Sequence, residues 1–576
     1  MKRILTALVF MCMGIIAQAQ ESFPINGIRD IRSGLYAFTN ATIIQNENTK
    51  IEKGVLIIKM GKIVAVGPNL TIPAEAIVVD CAGKFIYPSF IDPLSDYGVA
   101  TPRRTLGGYN FGAPGQFVSN KPGPYNWNQA VKPELNAVDV FTKDEATASA
   151  YRANGFGTVF THLKDGLARG TGAVVSLATE NNNQAVLKSR AASVYSFDKG
   201  TSTQSYPSSL MGSIAVLRQT YLDAKWYQTK PVSEGVNLSL EAWNNGQSIP
   251  QIFATDDKWN AVRADRIGDE FGVQYIIKGG QNEYQRVNEM KGTNASFILP
   301  LNFPLAQDVE DPSDARFVAL NDMKHWELAP SNPVLLHQNN IRFCITSNGT
   351  KSPEQFWKNL RLSISKGLPV EAALAALTIN PASELGVSDQ LGTLEQGKWA
   401  NFSVFSSDPF TTEAQLVDSW IQGDLMRGKE LPGSSIAGKY SMLIDGEKYD
   451  LEIEGSNERP TGKVTLAGKT NASLQDTTTK KVSVQLVEND ITLQFSSFQK
   501  NKPGIVQLHG KVSRNAAVFE GDGTNAEGTW ISWSGIRADK PAESAKVTEI
   551  KADTAFVGNP WLPNMAFGLD SKVTNQ

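Results

Sequence analysis

The segment Pro88-Ser-Phe-Ile-Asp-Pro-Leu-Ser-Asp96 sets two carboxylates, Asp92 and Asp96, at the end of an apolar run. Carboxylates so placed are what a hard cation such as Ca²⁺ seeks, but that ion takes about six to eight oxygen ligands, and two carboxylates alone do not predict it. The chain has four histidines. His162 follows Thr158-Val-Phe-Thr161, a short β-branched run that would set its imidazole at a strand end, where ligand or acid–base work is done. A hydrogen-bonded structural histidine is the ordinary alternative, and both readings stay open. His325 and His337 flank a helical run and His509 falls in a C-terminal β region, so each reads as structural. Lys278 ends Ile276-Ile-Lys-Gly-Gly280 and is of the type that can be carbamylated, but that needs metal ions to bridge. Asp308, Glu310, Asp311 and Asp314 read as a solvated loop. Trp530 and Trp533 could stack a sugar or close a β core. No G-x-S-x-G elbow, phosphate loop or Cys/His nucleophile pair occurs.

The elements that must hold these residues show in the periodicity. Ala41–Ile44, Gly54–Ile58, Lys62–Gly67 and Ala76–Asp80 are short, β-branched and separated by Gly, Pro or Asn, as strands are. Gly392–Phe405 and Val417–Gly423 share that character. From Ala137 to Leu385 helical runs alternate with short apolar strands, which implies parallel βαβ units. The span 88–389 suits an eight-stranded barrel, which takes about 250 residues. Residues 101–125, with five Gly and four Pro, read as a long loop. After Gly438 apolar residues recur at period two, predicting an antiparallel β-module over 438–536, followed by an extended tail over 537–576 that holds the apolar knot Pro560–Gly568.

Composition narrows the class. A net charge of −3 over 576 residues gives no reason to expect nucleic acid or an anionic membrane as partner. Lys2 and Arg3 precede the apolar run Ile4–Ala17, and Ala17-Gln-Ala19 is an A-x-A cleavage signal. Residues 1–19 therefore read as a signal peptide, with a mature start at Gln20 and export to the periplasm or beyond. The run is shorter than the roughly 20 residues that span a bilayer, so no transmembrane segment is expected. Cys81 and Cys344 remain after cleavage and are expected as buried thiols.

The 88–96 segment resembles the P-G-x-I-D-x-H-x-H strand end of the amidohydrolase superfamily. Gly155-Phe-Gly-Thr-Val159, Ala329–Leu336, Arg342–Gly349 and Leu368–Ala382 resemble family landmarks in the same order, the last most like imidazolonepropionase-like members. Gly392–Val404 follows the family's G-x-(I/L)-E-x-G-K-x-A-D-x-x-V pattern through Gly397, Lys398 and Ala400, with Asn401 for the usual Asp. The resemblance implies an α/β fold: a (β/α)8 TIM barrel over 88–389, a flanking composite β-sandwich from 35–87 plus 390–435, and the extra C-terminal module. It also implies hydrolysis of non-peptide C–N bonds by zinc or another divalent metal at the barrel mouth. The family's ligands are two histidines on strand one, histidines on strands five and six, and a strand-eight aspartate. Here those positions read Leu94, Asp96, Phe253 and Asn348, and strand six ends at Lys278 without a histidine. Leucine has no lone pair, and an amide is no base near neutral pH. No metal or other cofactor is therefore predicted, and Asp92 belongs to the strand-end pattern.

The leading expectation is an exported amidohydrolase-fold protein without the metal site, serving as a binding or partner subunit. Exported tandem relatives pair a degraded first half with an intact second half, so a homologous active amidohydrolase is the expected partner, with a small molecule at the barrel mouth as a ligand. One alternative is an active C–N hydrolase, a cyclic amidase or imidazolonepropionase-like enzyme, with a site rebuilt around Asp96 and His162. Another is a surface glycan binder using Trp530.

Overall fold

The computed structural model describes residues 34–538 apart from short segments, of which 103–114, 427–435 and 467–478 are the longest. The segment 1–19, most of the Gly/Pro-rich loop and the knot at 560–568 lie outside the described residues.

The first sheet is composite. Strands β1 (Leu35–Asn46), β2 (Thr49–Lys59), β3 (Lys62–Pro68), β4 (Ile77–Asp80) and β5 (Phe85–Pro88) join β14 (Phe402–Phe405), β15 (Leu416–Ile421) and β16 (Asp424–Met426) from far downstream. Antiparallel pairing of β5 with β14 runs from Phe402 opposite Pro88 to Phe405 opposite Phe85. The apolar alternation of both ends explains the union, because Phe38, Leu56, Ile86, Phe402 and Trp420 enter one core. A two-layer sandwich was expected here. All eight strands are hydrogen-bonded in one path, with β1 taking β4 along Tyr36–Thr39 and β5 along Thr42–Ile43 on the same edge, and the sheet folds over itself, since Tyr36 of β1 meets Trp420 of β15, three strands away, at 4.9 Å between ring centroids.

A second eight-stranded sheet carries the central body. Its order is β13 (Phe343–Thr346), β12 (Ser296–Pro300), β11 (Tyr275–Lys278), β10 (Gln251–Ala254), β9 (Val186–Ser196), β8 (Ala168–Ser176), β7 (Phe156–Thr161) and β6 (Phe90–Ser95). Both faces are covered, and β6, β7 and β13 are buried throughout. One face turns Phe156, Val159, Tyr195, Phe253 and Phe297 to the helical layer. The other collects Ile91, Leu94, Phe160, Val174, Val194, Ile252, Ile276, Ile298 and Cys344 into a single apolar interior.

An all-parallel sheet was expected, and β8 departs from it by running antiparallel to both β7 and β9. Connection length is the reason. Residues 162–167 and 177–185 link these strands, whereas a parallel crossover needs about a dozen residues or more. The sheet is therefore mixed. Its outer strands β6 and β13 are joined through side chains: Thr346 Oγ1 donates to the Asp92 carboxylate (2.6 Å) and lies 3.2 Å from Leu94 O.

The C-terminal region is a closed antiparallel barrel of eight strands, β17 (Gly438–Ile444) to β24 (Trp530–Arg537), in which β24 pairs back onto β17. Its interior is filled by Tyr440, Leu451, Val464, Leu493, Leu508, Phe519 and Trp533 among others. Among the described residues no helix is long and apolar enough to cross a membrane.

Candidate functional site at the end of the central sheet

The C-terminal ends of the strands bring the singled-out residues to one region, and strand parity sorts them. Leu94 is 4% exposed and belongs to the interior core. Asp92 is fully buried, and its carboxylate is consumed by structure. It accepts from Leu94 N–H (3.0 Å) and Thr346 Oγ1 on one oxygen, and from Ser347 N–H (2.9 Å) and Ser347 Oγ (2.6 Å) on the other. Burial raises its pKa in spite of those donors. Asp96 is partly exposed and pairs with Lys164 at 3.1 Å. Asp92 and Asp96 therefore offer no shared oxygen cage.

The remaining family positions carry no metal donors. Asn348 is half-buried, and its N–H donates to Thr346 Oγ1 (3.0 Å). Phe253 requires a correction, because its ring lies in the aromatic layer under the helices, 4.6 Å from Phe197 and 5.2 Å from Tyr275 between centroids. Ile252 faces the interior, so alternation gives the inward position at the end of β10 to Ala254, one residue on. Lys278, two residues beyond the inward Ile276, is tied as an ammonium to Asp256 at 2.8 Å. Among the described residues no group of three or more His, Cys, Asp or Glu side chains is placed to hold a metal ion. The residues present do not fit the family's metal.

His162 does reach the region. Phe160 fills the interior, and His162 follows on the same face with its ring edge-on to Phe160 at 5.9 Å. It is 1% exposed, and neither ring nitrogen has a partner among the described residues. Burial first, then Arg169 and Lys164, hold its pKa well below the usual range, so the imidazole is neutral. Sequence reasoning missed Arg169 and Lys164. The legible signal was an arginine flanked by small residues, Ala168-Arg-Gly-Thr-Gly172, close behind a strand.

The other candidates lie elsewhere. His325 Nδ1 meets Tyr284 Oη at 3.1 Å, His509 Nδ1 meets Thr492 Oγ1 at 3.2 Å, and His337 is exposed. Asp308, Glu310, Asp311 and Asp314 are all exposed. Trp530 is exposed, while Trp533 points into the C-terminal barrel and donates from Nε1 to His509 O (3.1 Å). Three positions apart on a strand they fall on opposite faces, so they form no shared stacking platform. Cys81 and Cys344 are free and buried, with burial pushing the Cys81 thiol up to about 12. Gly397, Lys398 and Ala400 form the clasp that returns the chain to the first sheet. Gly397, at φ +88°, and Ala400 donate to Ile63 O (2.9 Å) and Gly61 O (2.8 Å), and Lys398 O accepts from Ile63 N–H (3.0 Å).

The family model described as "Amidohydrolase family" matches residues 349–426, the stretch that includes this clasp. A curated relative, "Amidohydrolase tasK" of Hapsidospora irregularis, is 44% identical over 57 residues, which is 10% of this chain and 6% of that protein's length. The crystal structure of an amidohydrolase from Thermotoga maritima MSB8 superposes with a TM-score of 0.54 at 23% identity, covering 68% of this chain and all of that one. That last likeness is one of fold. The sequence match over 349–426 and the likeness of fold both point to amidohydrolases, in line with the motif resemblance.

Proposed function

We propose that the central sheet is a (β/α)8 barrel altered at its third strand, and that the chain is exported and works without metal-dependent C–N hydrolysis, as a binding or partner subunit. The observation that carries this is the identity of the residues at the mouth. Leu94 is a core side chain, Asp92 is saturated by four donors, Ala254 faces inward on β10, and Asn348 stands where a proton carrier is needed. Ancestral hydrolysis requires a metal-bound water whose pKa falls to about 7 and a general base to take its proton. These side chains supply neither a ligand set nor that base. The basic n-region and A-x-A signal support export.

Elemental analysis of the full-length mature chain after zinc loading and desalting tests this. The expected result is well under one zinc per chain. One equivalent of zinc that survives chelator would overturn the reading. It would favour instead an active C–N hydrolase rebuilt around His162, the one buried imidazole of this region.

A further inference from the structure

The helix Leu210–Thr229 is the longest among the described residues, and it is apolar on two faces. Val216, Leu217, Tyr221 and Ala224 turn inward and join the core of the central body. The opposite face carries Met211, Ala215, Arg218, Leu222 and Trp226, in steps of four, three, four and four residues that keep one stripe in solvent. Met211 is 81% exposed, Leu222 54% and Trp226 51%. A single exposed apolar side chain is ordinary, but several along one stripe mark an interaction surface. Methionine and tryptophan are also the types that interfaces favour. Asn237 N–H donates to Tyr227 Oη (3.0 Å), which holds the exposed Val236 and Leu238 close to the Trp226 end and widens the apolar surface there.

We propose that this helix docks on the same helix of a second copy of the chain, antiparallel, about a two-fold axis beside Arg218. The order of side chains along the stripe is what selects that occupant. It is centred between positions 218 and 219, so an antiparallel copy sets Met211 opposite Trp226 and Ala215 opposite Leu222. A small or flexible side chain then meets a large one at every step, as close packing of two helices needs. The Met211 thioether also gains contact with an indole. Parallel pairing would instead set Trp226 on Trp226 and Ala215 on Ala215, crowding one end and leaving a gap at the other. Charge agrees with the choice. Arg218 pairs with Glu270 of the neighbouring helix Lys258–Phe271 at 2.7 Å, so the axis brings together two neutral pairs and no bare cation. The stripe is about 22 Å long, a footprint below that of a standard interface, so the association is reversible and set by concentration. It lies on the outer helical layer and goes beyond the reading of the mouth.

Sedimentation velocity of the full-length mature chain over a range of concentrations reads the association. A monomer–dimer equilibrium is expected. Leu222→Glu should weaken it about a hundred-fold or more, because each dimer would bury two unpaired carboxylates. Leu222 is exposed in the single chain, so this variant should keep the parent's urea midpoint. Oxidising a chain that carries both Ala215→Cys and Leu222→Cys reads the direction of pairing. Antiparallel helices bring position 215 of one copy to position 222 of the other, and a covalent dimer is expected. Ala215→Cys alone should give none, since its two copies would stand about 10 Å apart along the helices, beyond the roughly 7 Å between Cα atoms that a disulfide spans. Cys81 and Cys344 are buried and do not compete. A monomer at every soluble concentration, a dimer untouched by Leu222→Glu, or a covalent dimer from Ala215→Cys alone would each overturn the proposal. The zinc measurement is independent of all three outcomes.

Discussion

Leu94 shows how a lost ligand becomes a core residue: beside Ile91 and Phe160 it shares in the apolar interior, where full burial of such a side chain is worth about 1.5–3 kcal/mol. His162 is the opposite case, a polar ring beside Phe160 in the same interior with no hydrogen-bond partner among the described residues. Replacing it by leucine removes two unsatisfied groups and keeps an apolar body. We expect His162→Leu to hold or raise stability, by about 1 kcal/mol, in contrast to most buried substitutions. Urea unfolding of the two proteins measures it, and a loss above about 2 kcal/mol would mean that the ring nitrogens are bonded after all. That Leu94 and Asn348 cannot serve the ancestral metal was legible in the sequence, because a side chain's donor atoms travel with its name. The direction of Phe253 was not, because one residue of strand register exchanges interior for exterior.

At the scale of the element, the short connection 162–167 decides the direction of β8, and Asp165 organises it. Lys132 Nζ, Thr201 N–H (2.6 Å) and Thr201 Oγ1 (2.8 Å) all donate to the Asp165 carboxylate. Burial acts against the charged form, but these donors outweigh it and hold the carboxyl below its usual range. A depressed folded-state pKa contributes stability that is present above the unfolded value of about 3.9 and is lost as pH falls through the folded value. Asp165→Asn should cost about 3 kcal/mol at neutral pH, as breaking a buried pair does. Its urea midpoint should also fall less than that of the parent between about pH 6 and about pH 3. Parallel loss in both proteins would remove Asp165 from the account. On β8 itself, a Cβ at Gly172 would lie 2.2 Å from the ring of Phe160. Gly172→Ala should therefore cost about 1–3 kcal/mol through overpacking. An unchanged denaturation midpoint would show that the Phe160 ring can move aside. Helices and strands were readable from periodicity, but the inversion of β8 was not, because it follows from a loop length that strand–helix alternation conceals.

Among the described residues the C-terminal barrel has a core separate from those of the two sheets before it. The C-terminal barrel closes on itself by β17 pairing with β24 and has its own apolar interior. The Tyr36 hydroxyl donates to Glu520 across to the first sheet. Residues 436–538 expressed alone should give a β-type circular dichroism spectrum and a single cooperative thermal transition, as expected of a small domain with its own core. A gradual, non-cooperative melt would show that the barrel depends on the rest of the chain.

The sequence by itself determined the strand-rich character of both ends, the antiparallel C-terminal module and the loss of the ancestral ligand types. All of these are written in side-chain identity and local period. Only the tertiary structure decided that the C-terminal strands close into a barrel, that β8 is inverted, that Asp92 is spent on bracing β6 to β13, and that His162 is buried edge-on to Phe160. Such facts depend on which distant segments pair and in what register, and no local pattern encodes that.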